Sequence, residues 1–260
     1  VTAVSAGNHA IAVSIVARLL GTHCKVVMPP TSSPAAIERC KKLGAEVVVV
    51  GHVSEAFTEI ERIQQTEGRT FVHPFEGPLT ALGTATLALE YYQQAGRLDA
   101  AIIPIGGGGL AAGMSAAFKQ LNPHIRLFGV EAEGAPNMYN SFKLGKPAKN
   151  AEVHTIAASL APPYSLPYSF GLCKQFLEKV VLVSDDELCK AMAIAFEDLK
   201  MVLEPAGAAS MAALLGPLRE ELKGKRVGII ACGSNIDMDH FARYVQRGMR
   251  LQEQQTHASQ

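Results

Sequence analysis

The chain has 260 residues, 48% of them hydrophobic, and balances 24 lysines and arginines against 24 aspartates and glutamates. That apolar fraction excludes a disordered chain, and the charge balance excludes a basic field for nucleic acid or anionic lipid. Five scattered cysteines (Cys24, Cys40, Cys173, Cys189, Cys232) lack any CxxC spacing, which fits reduced thiols in a cytoplasm better than a disulfide framework or a zinc site.

Taken in order, the pattern alternates helix and strand. Residues His9 to Leu20 predict an apolar helix opened by the loop Ser5-Ala6-Gly7-Asn8-His9. No basic segment precedes it, so it does not read as a signal peptide, and a start at Val1 directly in this loop reads as a truncation. Lys25 to Met28 is a short strand stopped by Pro29-Pro30. Pro34 to Leu43 is a helix capped by Ser32 or Ser33 and ended at Gly44. The β-branched run Val47 to Val50 predicts a strand buried on both faces, followed by a helix from Ser54 to Glu67 and a short strand at Phe71-Val72.

After a loop from His73 to Pro78, Thr80 to Ala95 predicts a helix and Ala100 to Ile105 a strand. Gly106-Gly107-Gly108-Gly109-Leu110 follows and opens a helix to Gln120, then a strand from Arg126 to Val130. Residues Gly134 to Tyr168 read as irregular and proline-rich. Val180 to Val183 is a strand, and Ser184-Asp185-Asp186-Glu187 a capping box for the next helix. The strand Arg226 to Ala231 ends in Cys232-Gly233-Ser234-Asn235, and the tail from Leu251 is polar. Apolar runs such as Val227 to Cys232 are far too short to span a bilayer. This alternation predicts an α/β protein with largely parallel sheets, a boundary within residues 74–80, and function at strand C-terminal ends.

The glycine run is the strongest chemical signal. Consecutive glycines let backbone N–H groups turn inward as a nest, and a helix N-terminus favours an anion. A phosphate is the expected ligand. Gly107-Gly108-Gly109-Leu110-Ala111-Ala112 also fits GxGxxA, with Glu131 near the spacing of a ribose-binding acid, so a dinucleotide fingerprint is the alternative. Ser5, Asn8 and His9 add side-chain donors suited to a carboxylate or a ring oxygen.

The ordered set Ser-x-Gly-Asn-His, GGGGL, Glu204-Pro205-Ala206-Gly207 and Cys232-Gly233-Ser234-Asn235 resembles the serine/threonine dehydratases. These are fold type II, tryptophan-synthase-β-like enzymes that use pyridoxal 5'-phosphate. Weaker echoes lie at Thr155-Ile156-Ala157, Leu160-Ala161-Pro162-Pro163 and Val183 to Glu187, so the resemblance spans residue 1 to about 247. It implies two three-layer parallel-sheet domains with the cofactor in the cleft between them. Residues 1–77 would be a small domain incomplete at its N-terminal side, 78–250 a large cofactor-binding domain missing early strands, and 251–260 the tail.

By the same resemblance Gly106, Gly107, Gly108 and Gly109 would hold the cofactor phosphate, Asn8 the ring hydroxyl oxygen, and Cys232 would face the pyridine nitrogen. Ser5, Gly7 and His9 would grip the substrate carboxylate. Glu131, the backbone of Ala135, and Asn137 match a cation site, where the single carboxylate favours potassium. The implied reaction is dehydration and deamination of L-threonine or L-serine to a 2-oxo acid and ammonia, in a cytoplasmic homodimer. A racemase of the same family would need a proton-delivering serine where Ala6 stands. The lysine that binds the family's cofactor lies in a Ser-x-Lys-x-Arg-Gly segment that these residues lack, and Lys143 in Ser141-Phe142-Lys143-Leu144-Gly145 reads as a decoy. Without that lysine the chain alone is expected to be inactive, and a non-catalytic homologue that binds cofactor or amino acid is the further alternative. Ala158-Ser159 departs from the acidic-residue-then-glycine pair of many relatives, which leaves the preferred β-hydroxy amino acid open.

Overall fold

The computed structural model describes residues 1–52, 55–150 and 152–258; Ser54, the expected start of the third helix, lies outside them. The chain divides into two compact units, Val1–Pro74 and the remainder from Phe75.

The first unit is a parallel sheet ordered β1 (Thr2–Val4), β2 (Lys25–Met28), β3 (Glu46–Val49). Strand alternation separates two cores. Val26 and Met28 join residues of α1 (Asn8–Leu19) and α2 (Pro34–Lys42) on one face, while Val27 meets Ile60 and Ile63 of α3 (Glu55–Glu67) on the other. Ser33, not Ser32, caps α2, its hydroxyl accepting from the Ala36 amide at 3.2 Å. Two expectations need correction. β3 is an edge strand whose ends are exposed, so its β-branched run covers a sheet margin and is not buried on both faces. Phe71 forms only an isolated bridge to Thr2. β1 itself is an addition to the sequence reading.

The second unit carries a four-stranded parallel sheet ordered β6 (Lys179–Val183), β5 (Arg126–Ala132), β4 (Ala100–Pro104), β7 (Val227–Ile229). Ala101, Ile103 and Leu127 pack with α4 (Pro78–Ala95), α5 (Gly109–Leu121) and α7 (Pro167–Phe176). Ile102, Phe128 and Val130 face the opposite core, formed with α8 (Asp185–Leu199), α9 (Ala209–Leu215) and α10 (Met238–Ala258). Phe128 is fully buried, and burial of such a side chain contributes roughly 1.5–3 kcal/mol. The capping box of α8 is formed: Ser184 Oγ accepts from the Glu187 amide at 3.2 Å and the Glu187 carboxylate accepts from the Ser184 amide at 2.7 Å.

The segment expected to be irregular contains α6 (Asn137–Leu144), and α10 runs to Ala258, well beyond Leu251. Among the described residues no helix is long and apolar enough to cross a membrane.

Candidate functional site

In a parallel sheet every strand delivers its C-terminal end to the same edge, and loops that leave that edge are the natural place for a ligand. In the second unit β4 ends in Gly106–Gly109, β5 leads past Glu131 to Ala135 and Asn137, and β7 leads to Cys232. Because β4 lies between β5 and β7, the glycine loop sits between the other two groups.

The glycine loop is buried except at Gly106 and feeds directly into α5. Gly108 caps the helix in the left-handed region at φ 99°, and no side chain serves as its cap. Among the described residues, none of the backbone amides from Gly106 to Ala111 donates to a protein acceptor. The Cα side of the loop is closed. A Cβ on Gly107 would stand 2.1 Å from the Phe75 ring, and one on Gly108 would stand 2.7 Å from Met138 Cε. Glycine is therefore required on one side and bare donors remain on the other. Unpaired amides at a helix N-terminus suit a phosphate dianion, so these residues fit the phosphate of the implied cofactor.

Phe75 and Glu76 are the neighbours that the sequence reading missed. The Glu76 carboxylate accepts from the amides of Tyr168 (2.7 Å) and Ser169 (3.0 Å), the first turn of α7, and Ser169 Oγ donates to the Phe75 carbonyl at 2.5 Å. Pro167 at the helix start was the available signal for α7, but nothing local to it points to an acid at position 76.

The Glu204 motif and the Cys232–Asn235 turn form one assembly. The buried Glu204 carboxylate accepts the Ser159 hydroxyl at 2.6 Å and the Asn235 amide at 3.1 Å, and the Glu204 amide donates to the Gly233 carbonyl at 2.9 Å. Glu204 thus ties the Cys232–Asn235 turn to the Ser159 segment, whose backbone lies against Gly106. Desolvation first, and the Glu204 carboxylate second, push the Cys232 thiol above its ordinary range. A neutral thiol follows.

Glu131, Ala135 and Asn137 do come together at the β5–α6 turn, but their polar atoms are already engaged. Glu131 is fully buried and its two carboxylate oxygens accept from the amides of Met138 and Tyr139, both at 2.8 Å. Burial nevertheless pushes its carboxyl up to about 8, against the pull of those two amides. The Ala135 carbonyl accepts from the Asn137 amide at 3.0 Å, and Asn137 Oδ1 accepts from Asn150 Nδ2 at 2.7 Å. Hard cations need about six or more oxygen ligands, and among the described residues no group of three or more His, Cys, Asp or Glu could hold a metal. The three residues supply one carboxylate and two neutral oxygens, each already accepting from a protein donor, and Glu131 serves as the N-terminal anchor of α6. Lys143 lies on the exposed side of that helix, with Nζ 4.2 Å from the Tyr139 ring centroid, a surface position as expected of a decoy.

The remaining candidates lie in the first unit. Ser5 Oγ accepts from the Gly7 amide at 3.1 Å, and α1 starts at Asn8 with Gly7 as its cap residue and no side-chain cap. His9 is committed internally: Nε2 meets the Val72 carbonyl at 2.9 Å, so that nitrogen carries the proton and donates. Burial lowers its basicity, with the Val72 bond opposing, so the ring is held neutral. A neutral ring pinned in this way has no N–H left for a carboxylate. The contribution open to His9 in anion binding is its place in the first turn of α1.

The family model for pyridoxal-phosphate dependent enzymes matches residues 1–233. The chain belongs to that family, in its fold type II, tryptophan-synthase-β-like branch. It is 51% identical over 248 residues to a phenylserine dehydratase of Ralstonia pickettii, covering 95% of this chain and 76% of that protein. It is 35% identical over 250 residues to an L-threonine ammonia-lyase of Thermotoga maritima, covering 96% of this chain but only 62% of the relative's length. Among solved structures, the serine racemase of Dictyostelium discoideum superposes with a TM-score of 0.84 at 32% identity, over 92% of this chain and 77% of that one. Family membership implies pyridoxal phosphate as cofactor and makes the dinucleotide alternative unnecessary.

Proposed function

We propose that the chain forms the working body of a lyase that removes the β-hydroxyl and then the amino group from a β-hydroxy α-amino acid, giving a 2-oxo acid and ammonia. L-Threonine and L-serine are the substrates implied by the sequence motifs, and the relative named phenylserine dehydratase adds a β-aryl serine to the same class. The observation that carries the reading is the run of unpaired amides from Gly106 to Ala111 at the start of α5.

When bound, pyridoxal phosphate supplies an electron sink that labilises bonds at the amino acid's α-carbon. The chain's own residues set how strong that sink is. Gly106 to Gly109 would hold the phosphate and set the cofactor's position. Cys232 would stand at the pyridine nitrogen, where an uncharged thiol could not hold a proton by charge pairing, so the electron sink would be a moderate one suited to loss of a β-leaving group. The Ser5 hydroxyl and the first turn of α1 at His9 offer donors for the substrate carboxylate, the Gly7 amide would reach it only by leaving Ser5 Oγ, and Asn8 would serve the ring oxygen. Ala6 offers only a methyl group, which cannot deliver a proton, so racemisation is disfavoured.

The test is release of a 2-oxo acid and ammonia from L-threonine, L-serine and L-phenylserine with added pyridoxal phosphate. It is run on the 260-residue chain and on any longer product of the same reading frame. The lysine motif of the family is absent from these residues, so the chain alone is expected to bind cofactor without turnover, and the longer product to release 2-oxo acid. Racemisation without release would assign the racemase reaction, and cofactor binding with neither would assign a binding protein.

A further inference from the structure

A chain of buried side chains ends on the glycine loop. Glu131 holds the amides of Met138 and Tyr139, which fixes the start of α6. From that start Asn137 donates through Nδ2 to the Gly106 carbonyl at 3.0 Å. Its Oδ1 is in turn held by Asn150 Nδ2 at 2.7 Å, and Asn140 Nδ2 supports Asn150 Oδ1 at 3.3 Å. Ser141 Oγ donates to the Asn137 carbonyl at 2.6 Å and accepts from the Ala148 amide at 2.9 Å. Asn137 and Ser141 are fully buried and Asn150 is nearly so.

The consequence follows from peptide geometry. The Gly106 carbonyl and the Gly107 N–H belong to one planar trans peptide, so they point in opposite directions. Holding the carbonyl therefore aims the amide. The Gly108 carbonyl is held in the same way, by the Ala112 amide at 2.8 Å and by Cys173 Sγ at 3.7 Å, which aims the Gly109 N–H. Glycine peptides left to themselves would rotate, and a nest of donors would lose its direction.

We propose that Asn137 is a positioning residue for the cofactor phosphate. Its neutral side-chain amide fixes the Gly106–Gly107 peptide directly, with Glu131 and Asn150 as its supports and with no cation in the arrangement. The proposal rests on the reading that the glycine loop takes a phosphate, and its test separates the two.

The experiment compares binding of pyridoxal 5'-phosphate with binding of pyridoxal, which lacks the phosphate, by calorimetry on the 260-residue chain in sodium, potassium and magnesium salts. The wild type should prefer the phosphate form and be indifferent to the cation. Asn137→Ala should lose roughly tenfold of that preference, the scale of one lost buried hydrogen bond, while its affinity for pyridoxal stays unchanged. Asn137→Asp sets an acceptor against a carbonyl, so it should lose more and regain part of the loss in potassium or magnesium. Asn150→Ala, which leaves Asn137 in place, should give a smaller loss and guards against a variant that simply unfolds. Equal losses for both ligands would mark a merely structural role and overturn the proposal, as would an unchanged preference or a cation requirement in the wild type. A wild type with no preference for the phosphate form would overturn the phosphate reading itself and the proposal with it.

Discussion

The loops Ser5–His9 and Gly106–Gly109 each follow a parallel strand and each open a helix, yet they are prepared for ligands in different ways. In the first, some donors are spent inside the unit: the Gly7 amide is taken up by Ser5 Oγ, which keeps its own proton, and the His9 ring is fixed to Val72. In the second there are no side chains, and the backbone amides are left unpaired and directed from behind by Asn137 and Cys173. Polar side chains at a helix start are thus ambiguous until their own partners are known. Bare glycine amides in a buried loop are not, because something outside the loop has closed the alternatives.

The comparison can be broken most severely at the glycine loop. Gly107→Val together with Gly108→Val drives a side chain into the Phe75 ring and forces a β-branched residue to φ 99°. Overpacking and positive φ each cost about 1–3 kcal/mol, so retention of the cofactor after dialysis should fall at least about thirtyfold. A variant that stays yellow would contradict the phosphate site. Next in size is Cys232→Asp, which introduces a carboxylate able to hold a proton on the ring nitrogen. In protein that turns over threonine, release of 2-oxo acid should fall by about tenfold or more, the effect of a pKa change of roughly one unit. Unchanged turnover would contradict the account of the ring.

The two units should also titrate in opposite senses. His9 has a lowered pKa in the fold, so the unfolded chain binds the proton more readily. Its contribution to stability is present above the ordinary histidine value and is lost as the pH falls below it. Glu131 is raised to about 8, so the folded chain keeps the proton longer and stability falls as the pH rises from about 4.5 through 8. Each group alone gives a slope of at most about 1.4 kcal/mol per pH unit. Denaturant melts across pH 4.5 to 9 should show His9→Gln losing the fall in stability below about 6.5 and Glu131→Gln losing the fall between about 4.5 and 8; the reverse pairing would contradict the assignment. The smallest effect is Ser184→Ala, which removes the capping box of α8 and should cost about 1 kcal/mol without altering cofactor affinity.

Much of this architecture is legible from pattern. Short apolar runs mark β2, β4, β5 and β6, and local signals mark the α2 and α8 starts, because their causes lie within a few residues. What was missed has distant causes. α6 is short and polar, and its start is set by the carboxylate of Glu131, which sits back on β5. α7 depends on Glu76, more than ninety residues away in the chain. β3 has the composition of a central strand but lies at the margin of its sheet, and side-chain composition cannot tell a neighbour's absence. The glycine loop, the Glu204 motif and Cys232 were legible as motifs. The brace that directs the loop was not, since Asn137 and Asn150 lie in a stretch with no periodicity to reveal them.

The most direct test of the central claim is amide NMR on protein labelled with 15N-glycine, titrated with pyridoxal 5'-phosphate and, separately, with pyridoxal. If the phosphate rests on the glycine loop, the resonances of Gly106 to Gly109 move with the phosphorylated form and stay in place with pyridoxal. If those resonances respond alike to both, or respond to neither while other glycines move, the loop is not the phosphate site.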